Sequence, residues 1–364
     1  MKRRNLVVHG PGDLSLETEE LPEVPPGGLL LRTVTTGLSA GTELTFVKGD
    51  HPGLSREYDA ELGLFRDVDR APAYPVTRLG YMEVARVAES RTAAFGVGDL
   101  VASAYGHATA HVSDPVREHV VPLPEDIDPV LGTYVAHLGP ICANGLLHAA
   151  VDAVGPPVTR LGEGVEGRRV LVTGAGLIGL LTALFAREHG AEEVVVVDAD
   201  EHRRALVERL GLLALDEGDD PALTLKTRWR HRPADHGADV VFQCRGRPHA
   251  LATALRAARP QGVVVDLAFY TDGADSVRLG EEFHHNGLTL RCAQIGRTPR
   301  GTAGHWDRHR LSAETIRLLR SCGREIREHL VTDVLPLEES PRLLLEVAER
   351  RRHVLSAVFT VPDI

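Results

Sequence analysis

The stretch "TTGLSAGTELTFVKGD", residues 35–50, carries the side chains that we consider first for chemistry. It brings the hydroxyls of Ser39 and Thr42 close to the carboxyl group of Glu43, and it contains neither Cys nor His. Hydroxyls and carboxylates donate and accept protons, whereas thiolates and imidazoles are the common ligands of transition metals. The run of small residues predicts a loop that holds a reactive group, and the residue types alone leave its chemistry open.

A second group of residues predicts a nucleotide site. Gly174, Gly176 and Gly179 form GxGxxG in "VLVTGAGLIGLLTALFA", between an apolar strand and a long apolar helix. This context separates a dinucleotide fingerprint from a chance glycine triplet. The first glycine permits a tight turn, the second lets the backbone approach a pyrophosphate, and the third lets helix and strand pack closely. The pyrophosphate would lie at the helix N-terminus, where free N–H groups favour anions.

Asp198 ends the next strand, "EVVVVD". A carboxylate there accepts hydrogen bonds from the adenosine ribose and repels a 2′-phosphate, which predicts NAD rather than NADP as the cofactor. Arg203 either lies near the ribose and weakens this preference, or is an ordinary surface residue. We assign four further residues to the same cofactor site: Leu177, Ile178, Cys244 and Ala268.

The elements that must position these residues fall into two groups. Up to about residue 135 the chain is rich in short strands broken by Gly, Pro and Asp. Beyond it, strands that are apolar throughout alternate with amphipathic helices, which predicts a parallel sheet covered on both faces. At 364 residues the chain also exceeds what one core usually serves. We therefore predict an α/β protein with a Rossmann doubly wound parallel sheet, of six strands, plus a β-rich domain.

Composition excludes several classes of protein. The net charge of −10 argues against general nucleic-acid binding. The sequence contains no stretch of about 18 apolar residues, so we expect no membrane-spanning helix. The basic N-terminus lacks the apolar core of a secretory signal. The four cysteines form no CxxC pair, which is typical of reduced thiols in a cytoplasmic protein.

The order of several short motifs resembles the medium-chain dehydrogenase/reductase superfamily. The motifs are Gly-Thr-Glu at 41–43, "FVKGD" at 46–50, "RLGYMEVARV" at 78–87, "GVGDLV" at 96–101 and the GAGLIG turn. The resemblance covers nearly the whole chain and implies two domains with the nicotinamide and the substrate in the cleft between them. It implies a GroES-like catalytic domain at 1–139, an NAD-binding Rossmann domain at 140–295, and a return to the catalytic domain at 296–364. It also implies a homodimer.

The resemblance further implies where a catalytic zinc would bind, and the matching residues differ from the family pattern. The family's Cys ligand matches Ala40, or Ser39 with a one-residue slip; its His ligand matches Tyr81, and the following Glu matches Met82. Cys142 lies near the third ligand position, but a zinc site needs three protein donors. The four-Cys lobe of the structural zinc is also absent. The chain thus looks similar to the zinc-free branch that includes bacteriochlorophyllide hydroxyethyl dehydrogenases and natural-product alcohol dehydrogenases, and we predict no bound metal.

Without a metal, hydrogen-bond donors must polarise the substrate oxygen. Thr42 matches the family hydroxyl that relays the substrate proton, and Tyr81 would donate to, or accept from, the same oxygen. Glu43 matches an acid that orients the family's His, and we expect it to orient Tyr81 instead. Ser39 completes the predicted catalytic set, whereas Thr45 interrupts the family's relay to solvent. The alternative is that Tyr81 is a core aromatic residue and Glu43 a structural or solvated carboxylate.

Other polar groups have weaker interpretations. His107 and His111, like His305 and His309, are spaced as HxxxH, but a loop with ordinary histidines is favoured over a metal site. An arginine-rich segment around Trp306, residues 295–311, would suit an acidic or aromatic substrate, although a solvated loop or a subunit contact is the plainer interpretation. Residues 51–77 look like an insertion that covers the substrate pocket.

Taken with the resemblance, these residues predict a metal-independent, NAD-dependent oxidoreductase. It would transfer hydride between NAD and a secondary alcohol or ketone of a specialised metabolite. One alternative is an enoyl or quinone reductase, which usually takes NADPH and is therefore disfavoured by Asp198. Another is an NAD-binding protein without catalysis.

Overall fold

The computed structural model describes residues 1–67, 73–271 and 273–362. The chain divides into two compact units. Unit 1 comprises Met1–His137 and Leu330–Ile364, and unit 2 comprises Leu138–His329. Among the described helices, none is both long enough and apolar enough to span a bilayer.

The strands are, in chain order, β1 (Lys2–Gly10), β2 (Asp13–Glu20), β3 (Leu29–Gly37), β4 (Arg56–Asp59), β5 (Leu64–Asp67), β6 (Glu83–Ser90), β7 (Leu100–Ser103), β8 (Ala110–Ser113), β9 (Val120–Pro122), β10 (Arg169–Thr173), β11 (Glu193–Asp198), β12 (Leu213–Asp216), β13 (Arg230–Arg232), β14 (Asp235–His236), β15 (Ala238–Gln243), β16 (Ala258–Asp266), β17 (Thr289–Cys292), β18 (Asp333–Pro336) and β19 (Ala357–Thr360).

The helices are α1 (Ala40–Lys48), α2 (Pro52–Ser55), α3 (Pro129–Gly132), α4 (Leu138–Val154), α5 (Leu177–Glu188), α6 (Glu201–Arg209), α7 (Pro221–Arg228), α8 (Pro248–Ala257), α9 (Glu282–His285), α10 (Arg308–Glu325) and α11 (Ser340–Ala348).

Unit 1 is built on a mostly antiparallel sheet with the order β18-β19-β3-β6-β7-β9, and β8 also pairs with β3. Strand β3 alternates in burial along its first half, as expected for a strand with one face in a core. Helices α1 and α11 pack against each other, and their apolar side chains join a core cluster that includes Leu44, Leu343 and Phe359. This packing fixes α1 on the sheet of unit 1.

Unit 2 contains a six-stranded sheet with the order β12-β11-β10-β15-β16-β17, and all its pairings are parallel. Five consecutive residues of β11, Val194–Asp198, are buried. Because successive strand residues point to opposite faces, this strand is covered on both sides. The predicted fold class, a Rossmann sheet plus a β-rich domain, is confirmed.

The boundary of unit 2 differs from the expected limit at residue 295. Residues 296–329 lie in unit 2 because α10 packs against α4 and α5 and buries an apolar face that includes Leu311, Leu318 and Leu319. The expected assignment of 296–364 to the catalytic domain therefore applies only from Leu330 onward.

The segment interpreted as an insertion forms α2 and the β4–β5 hairpin. Its residues 68–72 lie outside the described residues. In the hairpin, the side chains of Tyr58, Leu64 and Phe65 are about half exposed.

Candidate active site

The stretch that was predicted to be a loop begins helix α1 of unit 1. Ser39 is the N-cap residue of this helix, yet its hydroxyl makes no capping hydrogen bond. Instead the carboxylate of Glu43, one turn into the helix, accepts the backbone N–H of Ser39 at 2.7 Å. A carboxylate that reaches back to the N-cap amide satisfies a donor at the helix start and stabilises it. The Ser39 hydroxyl is thereby left for another partner.

That partner is Tyr81, so the structure brings together three of the four predicted catalytic residues. The hydroxyls of Ser39 and Tyr81 are hydrogen-bonded, and the Tyr81 hydroxyl also donates to Thr42 Oγ1 at 3.3 Å. We call Ser39, Thr42 and Tyr81 the hydroxyl cluster. Tyr81 and Thr42 are partly exposed, and the imidazole of His137 lies against the Tyr81 ring with centroids 4.4 Å apart.

The environment of Tyr81 determines the form in which its phenol acts. Burial raises the pKa of Tyr81 above its ordinary value, hydrogen bonds with Ser39 and Thr42 oppose the rise, and the charge of Glu43 adds to it. A phenol with a raised pKa stays protonated at neutral pH. The Tyr81 side chain is therefore suited to donate a hydrogen bond or a proton, and unsuited to act as a base.

Glu43 has a different position from the one expected. Its carboxylate contacts the Ser39 amide and His107, rather than the Tyr81 hydroxyl. His107 Nε2 lies 2.7 Å from Glu43 Oε2, and His107 Nδ1 lies 2.8 Å from Thr36 Oγ1. The side chains of Glu43 and His107 are 1% and 0% exposed, so solvent cannot stabilise the carboxylate.

His111 is likewise a buried residue rather than a loop histidine, because it lies on β8. Its Nδ1 is 3.4 Å from the buried carboxylate of Glu83, and its ring stacks on Tyr105. The HxxxH spacing of His107 and His111 was visible in the sequence. The buried carboxylates that contact them, Glu43 and Glu83, were not predicted.

The residues at the family's zinc positions do not fit a zinc ion. Ser39 and Tyr81 offer neutral hydroxyls, and the Met82 side chain is fully buried. Cys142 belongs to unit 2, where its Sγ lies 3.5 Å from the Ile178 carbonyl oxygen. Burial raises the pKa of Cys142 to about 12, which disfavours the thiolate that binds metals. Within residues 1–67, 73–271 and 273–362, no three His, Cys, Asp or Glu side chains are grouped to hold a metal.

The glycine turn of unit 2 has the geometry that a dinucleotide needs. Gly174 follows β10 with φ of +95°, a conformation that favours glycine. Gly176 is the N-cap of α5, and no side chain caps this helix start. Leu177 and Ile178 form its first turn. The uncapped amides and the helix dipole together favour an anion at this position.

Asp198 lies beside the same turn. Its Oδ2 accepts the Ala175 amide at 2.8 Å, and its Oδ1 accepts the Asp200 amide at 2.9 Å. Each carboxylate oxygen has two acceptor sites, so one on each oxygen remains for ribose hydroxyls. A guanidinium nitrogen of Arg203 approaches Asp198 to 3.9 Å, which places this arginine beside the predicted ribose position.

Cys244 and Ala268 follow the carboxyl ends of β15 and β16. These ends lie at the same edge of the sheet as the glycine turn, since Thr173 pairs with Gln243 in the parallel register. Ligands of doubly wound sheets bind at this edge. The sequence did not reveal a polar network there, in which Gln243 donates to the Tyr270 hydroxyl at 2.9 Å and Tyr270 donates to Asp266 at 3.0 Å.

Part of the arginine-rich segment is used inside unit 2. The Trp306 side chain is buried and donates to the Val158 carbonyl oxygen at 2.8 Å. The Arg310 guanidinium stacks over the Trp306 ring at 3.8 Å and donates to the carbonyl oxygens of His305 and Thr159. These two side chains bind residues 305–310 to the segment that precedes β10. The Arg310 guanidinium is therefore already hydrogen-bonded and is a poor candidate to bind an acidic substrate.

Comparisons with known proteins agree with this arrangement. Residues 178–307 match the zinc-binding dehydrogenase family. The chain is 26% identical to D-guloside 3-dehydrogenase of Escherichia coli over 324 residues, which cover 85% of this chain and 86% of the relative. It is 30% identical to L-threonine 3-dehydrogenase of Streptomyces avermitilis over 249 residues, which cover 63% of this chain and 66% of that relative.

The fold is also shared with solved structures. An alcohol dehydrogenase from Thermus sp. ATN1 superposes with a TM-score of 0.74 at 20% identity, over 99% of this chain and 100% of that chain. This likeness concerns the fold. In sequence the chain is similar to zinc-binding dehydrogenases over residues 178–307 and to a sugar-type dehydrogenase over most of its length, and these matches support a general oxidoreductase role.

Proposed function

We propose that the chain is a metal-independent, NAD-dependent alcohol dehydrogenase or ketoreductase. The observation that carries this proposal is the hydroxyl cluster, in which Ser39 and Tyr81 match zinc-ligand positions of the family that the sequence resembles. When bound, NAD supplies the hydride acceptor for alcohol oxidation and NADH the donor for ketone reduction. The residues of the chain must then bind the substrate oxygen and supply or remove one proton.

Tyr81 is the group that we assign to the substrate oxygen. In ketone reduction the carbonyl carbon gains the hydride, and the oxygen gains the phenolic proton of Tyr81. The resulting phenolate is reprotonated from solvent by way of the hydroxyls of Ser39 and Thr42, which contact Tyr81, since the Thr42 side chain is partly exposed. Alcohol oxidation would need the Tyr81 phenolate as the base, which the raised pKa of Tyr81 disfavours at neutral pH, so we propose ketone reduction as the favoured direction. Here a neutral donor takes the role that a zinc ion has in polarising the oxygen.

Metal independence is tested by purifying the protein and measuring its metal content and activity together. We expect substoichiometric zinc in fully active protein and no loss of activity after dialysis against a chelator, because the donor set does not suit zinc. Stoichiometric zinc that is required for turnover would contradict this proposal. Such a result would still leave NAD-dependent hydride transfer in place.

Cofactor preference gives a second prediction. Replacing Asp198 with asparagine is expected to lower the preference for NAD over NADP by about tenfold, about 1.4 kcal/mol, because the charge that repels a 2′-phosphate is removed. The measurement is the ratio of kcat/KM for the two cofactors. Glu201→Gln, which removes an exposed charge at the start of α6, is the matched control and should leave the ratio unchanged. An unaltered ratio in Asp198→Asn would assign the preference to other residues.

The substrate class, the cellular compartment and the oligomeric state are further parts of this proposal. We propose a secondary alcohol or ketone of a specialised metabolite, acted on in the cytoplasm by a homodimer, as for the zinc-free enzymes that the sequence resembles. Reduction of α,β-unsaturated carbonyls by NADH, with no reaction on ketones, would instead identify an enoyl or quinone reductase. NAD binding without turnover of any such compound would identify a protein without catalysis.

A further inference from the structure

The buried pair of Glu43 and His107 contacts the hydroxyl cluster but has no role in the proton transfer proposed above. The two Glu43 oxygens have separate partners: Oε1 accepts the Ser39 amide, and Oε2 contacts His107 Nε2. A carboxylate oxygen accepts from a ring N–H, so we assign the Nε2–H tautomer to His107. Its Nδ1 then accepts the Thr36 hydroxyl at 2.8 Å. Both nitrogens of the ring are thus used, and the pair has a fixed orientation.

The surroundings hold the imidazole in place. The ring of Phe359 meets it edge-on, with centroids 5.3 Å apart at 85°. On another side, a Cβ added to Gly80 would lie 3.1 Å from His107 Nε2, so the chain just before Tyr81 passes close to this nitrogen. His107 therefore lies between the backbone leading to Tyr81 and the carboxylate that holds Ser39.

We infer that His107 is a positioning residue for the proposed reaction: it holds Glu43, which holds the Ser39 backbone so that the Ser39 hydroxyl meets Tyr81. This inference rests on the proposed function for its catalytic consequence, but not for its geometry. His107 touches neither substrate nor cofactor in this scheme. The plainer interpretation is a buried hydrogen-bonded pair that only stabilises unit 1.

Unit 1 contains a matched pair that separates these interpretations. His111 and Glu83 are also a buried histidine and carboxylate, with Nδ1 and Oε1 3.4 Å apart. Glu83 accepts hydrogen bonds from the hydroxyls of Thr33 and Ser103, rather than from the hydroxyl cluster or the Ser39 amide. Removing His111 should therefore destabilise unit 1 without altering the position of Tyr81.

The first experiment is a double-mutant cycle on turnover, with cyclohexanone and NADH as the probe substrates. His107→Leu is expected to lower kcat about tenfold in the wild-type background and less than about twofold in Tyr81→Phe, because both changes remove the same donor arrangement. KM for NADH should not change. His107→Gln keeps an N–H donor and an acceptor and should restore most of kcat, and His111→Leu should have normal kcat. Equal losses in both backgrounds would overturn the inference.

The second experiment does not need turnover, so it separates failure of this inference from failure of the proposed function. Fluorotyrosine is incorporated, and the ¹⁹F resonance of residue 81 is identified by its disappearance in Tyr81→Phe. We expect this resonance to shift or broaden in His107→Leu, to return toward the wild-type position in His107→Gln, and to stay unchanged in His111→Leu. A resonance that is unchanged in folded His107→Leu would overturn the inference even if no ketone is reduced.

Discussion

Valine in place of Gly176 is expected to abolish cofactor binding while leaving the folded protein as stable as before. A Cβ at this position has no atom within 4 Å, and Gly176 has φ of −78°, which a β-branched residue adopts readily. The free space is where the pyrophosphate would approach the backbone, so the side chain would exclude it. We expect the Kd for NADH to rise about 100-fold or more, about 2.7 kcal/mol. Fluorescence titration measures the affinity, and urea unfolding measures the stability.

Gly179→Ala is the informative comparison. Its Cβ would lie 1.8 Å from the Gly174 carbonyl oxygen, so α5 must move away from the turn. This variant should lose stability as well as affinity, by about 1–3 kcal/mol for the overpacking. Gly176→Val protein that is folded and binds NADH normally would show that the dinucleotide does not use this turn.

Tyr81→Phe is expected to lower kcat for ketone reduction about tenfold or more, about 1.4 kcal/mol or above, because the proton donor to the substrate oxygen is lost. The pH profile gives an independent measure. Because burial raises the pKa of Tyr81, the phenol loses its proton only at a pH above the one at which a free tyrosine does. Reduction by the wild-type protein should therefore stay constant to that pH and decline above it, and Tyr81→Phe should lack the decline.

The control for Tyr81 is Tyr134→Phe. Tyr134 is also buried in unit 1, and its hydroxyl lies 2.7 Å from Ser356 Oγ. This variant loses a comparable hydrogen bond outside the hydroxyl cluster. It should therefore lower the free energy of unfolding by about 1 kcal/mol and leave kcat unchanged. Normal turnover in Tyr81→Phe would remove the phenol from the mechanism and leave Thr42 as the candidate donor.

Local sequence patterns were sufficient for unit 2. The glycine turn and the uniformly apolar strands predicted a parallel sheet with a dinucleotide site, and the sheet was found with six strands. Asp198 was placed beside the turn by its position at a strand end, and it does contact the backbone there. These inferences succeed because the residues involved lie within two neighbouring strands and one helix, so that chain order nearly fixes their positions.

Unit 1 was less accessible from the sequence. We expected Thr42, Glu43 and Tyr81 to act together, with Ser39 in the same catalytic set. The stretch at 40–48 was expected to be a loop and is helix α1. Its small residues gave a weak helical signal, which the back-reaching carboxylate of Glu43 and the packing on α11 override. The partner of Glu43 was also misjudged, since His107 is 64 residues away along the chain.

The sequence by itself determined the parallel-sheet fold of unit 2 with its glycine turn, and it showed that residues 35–50 contain neither cysteine nor histidine. Both conclusions depend on residue types at short spacing. Only the tertiary structure decided which buried group hydrogen-bonds to Glu43, which hydroxyls meet, and that Arg310 stacks on Trp306 inside unit 2. Such contacts join segments that are distant along the chain. They depend on strand register and helix packing, which no short stretch of sequence contains.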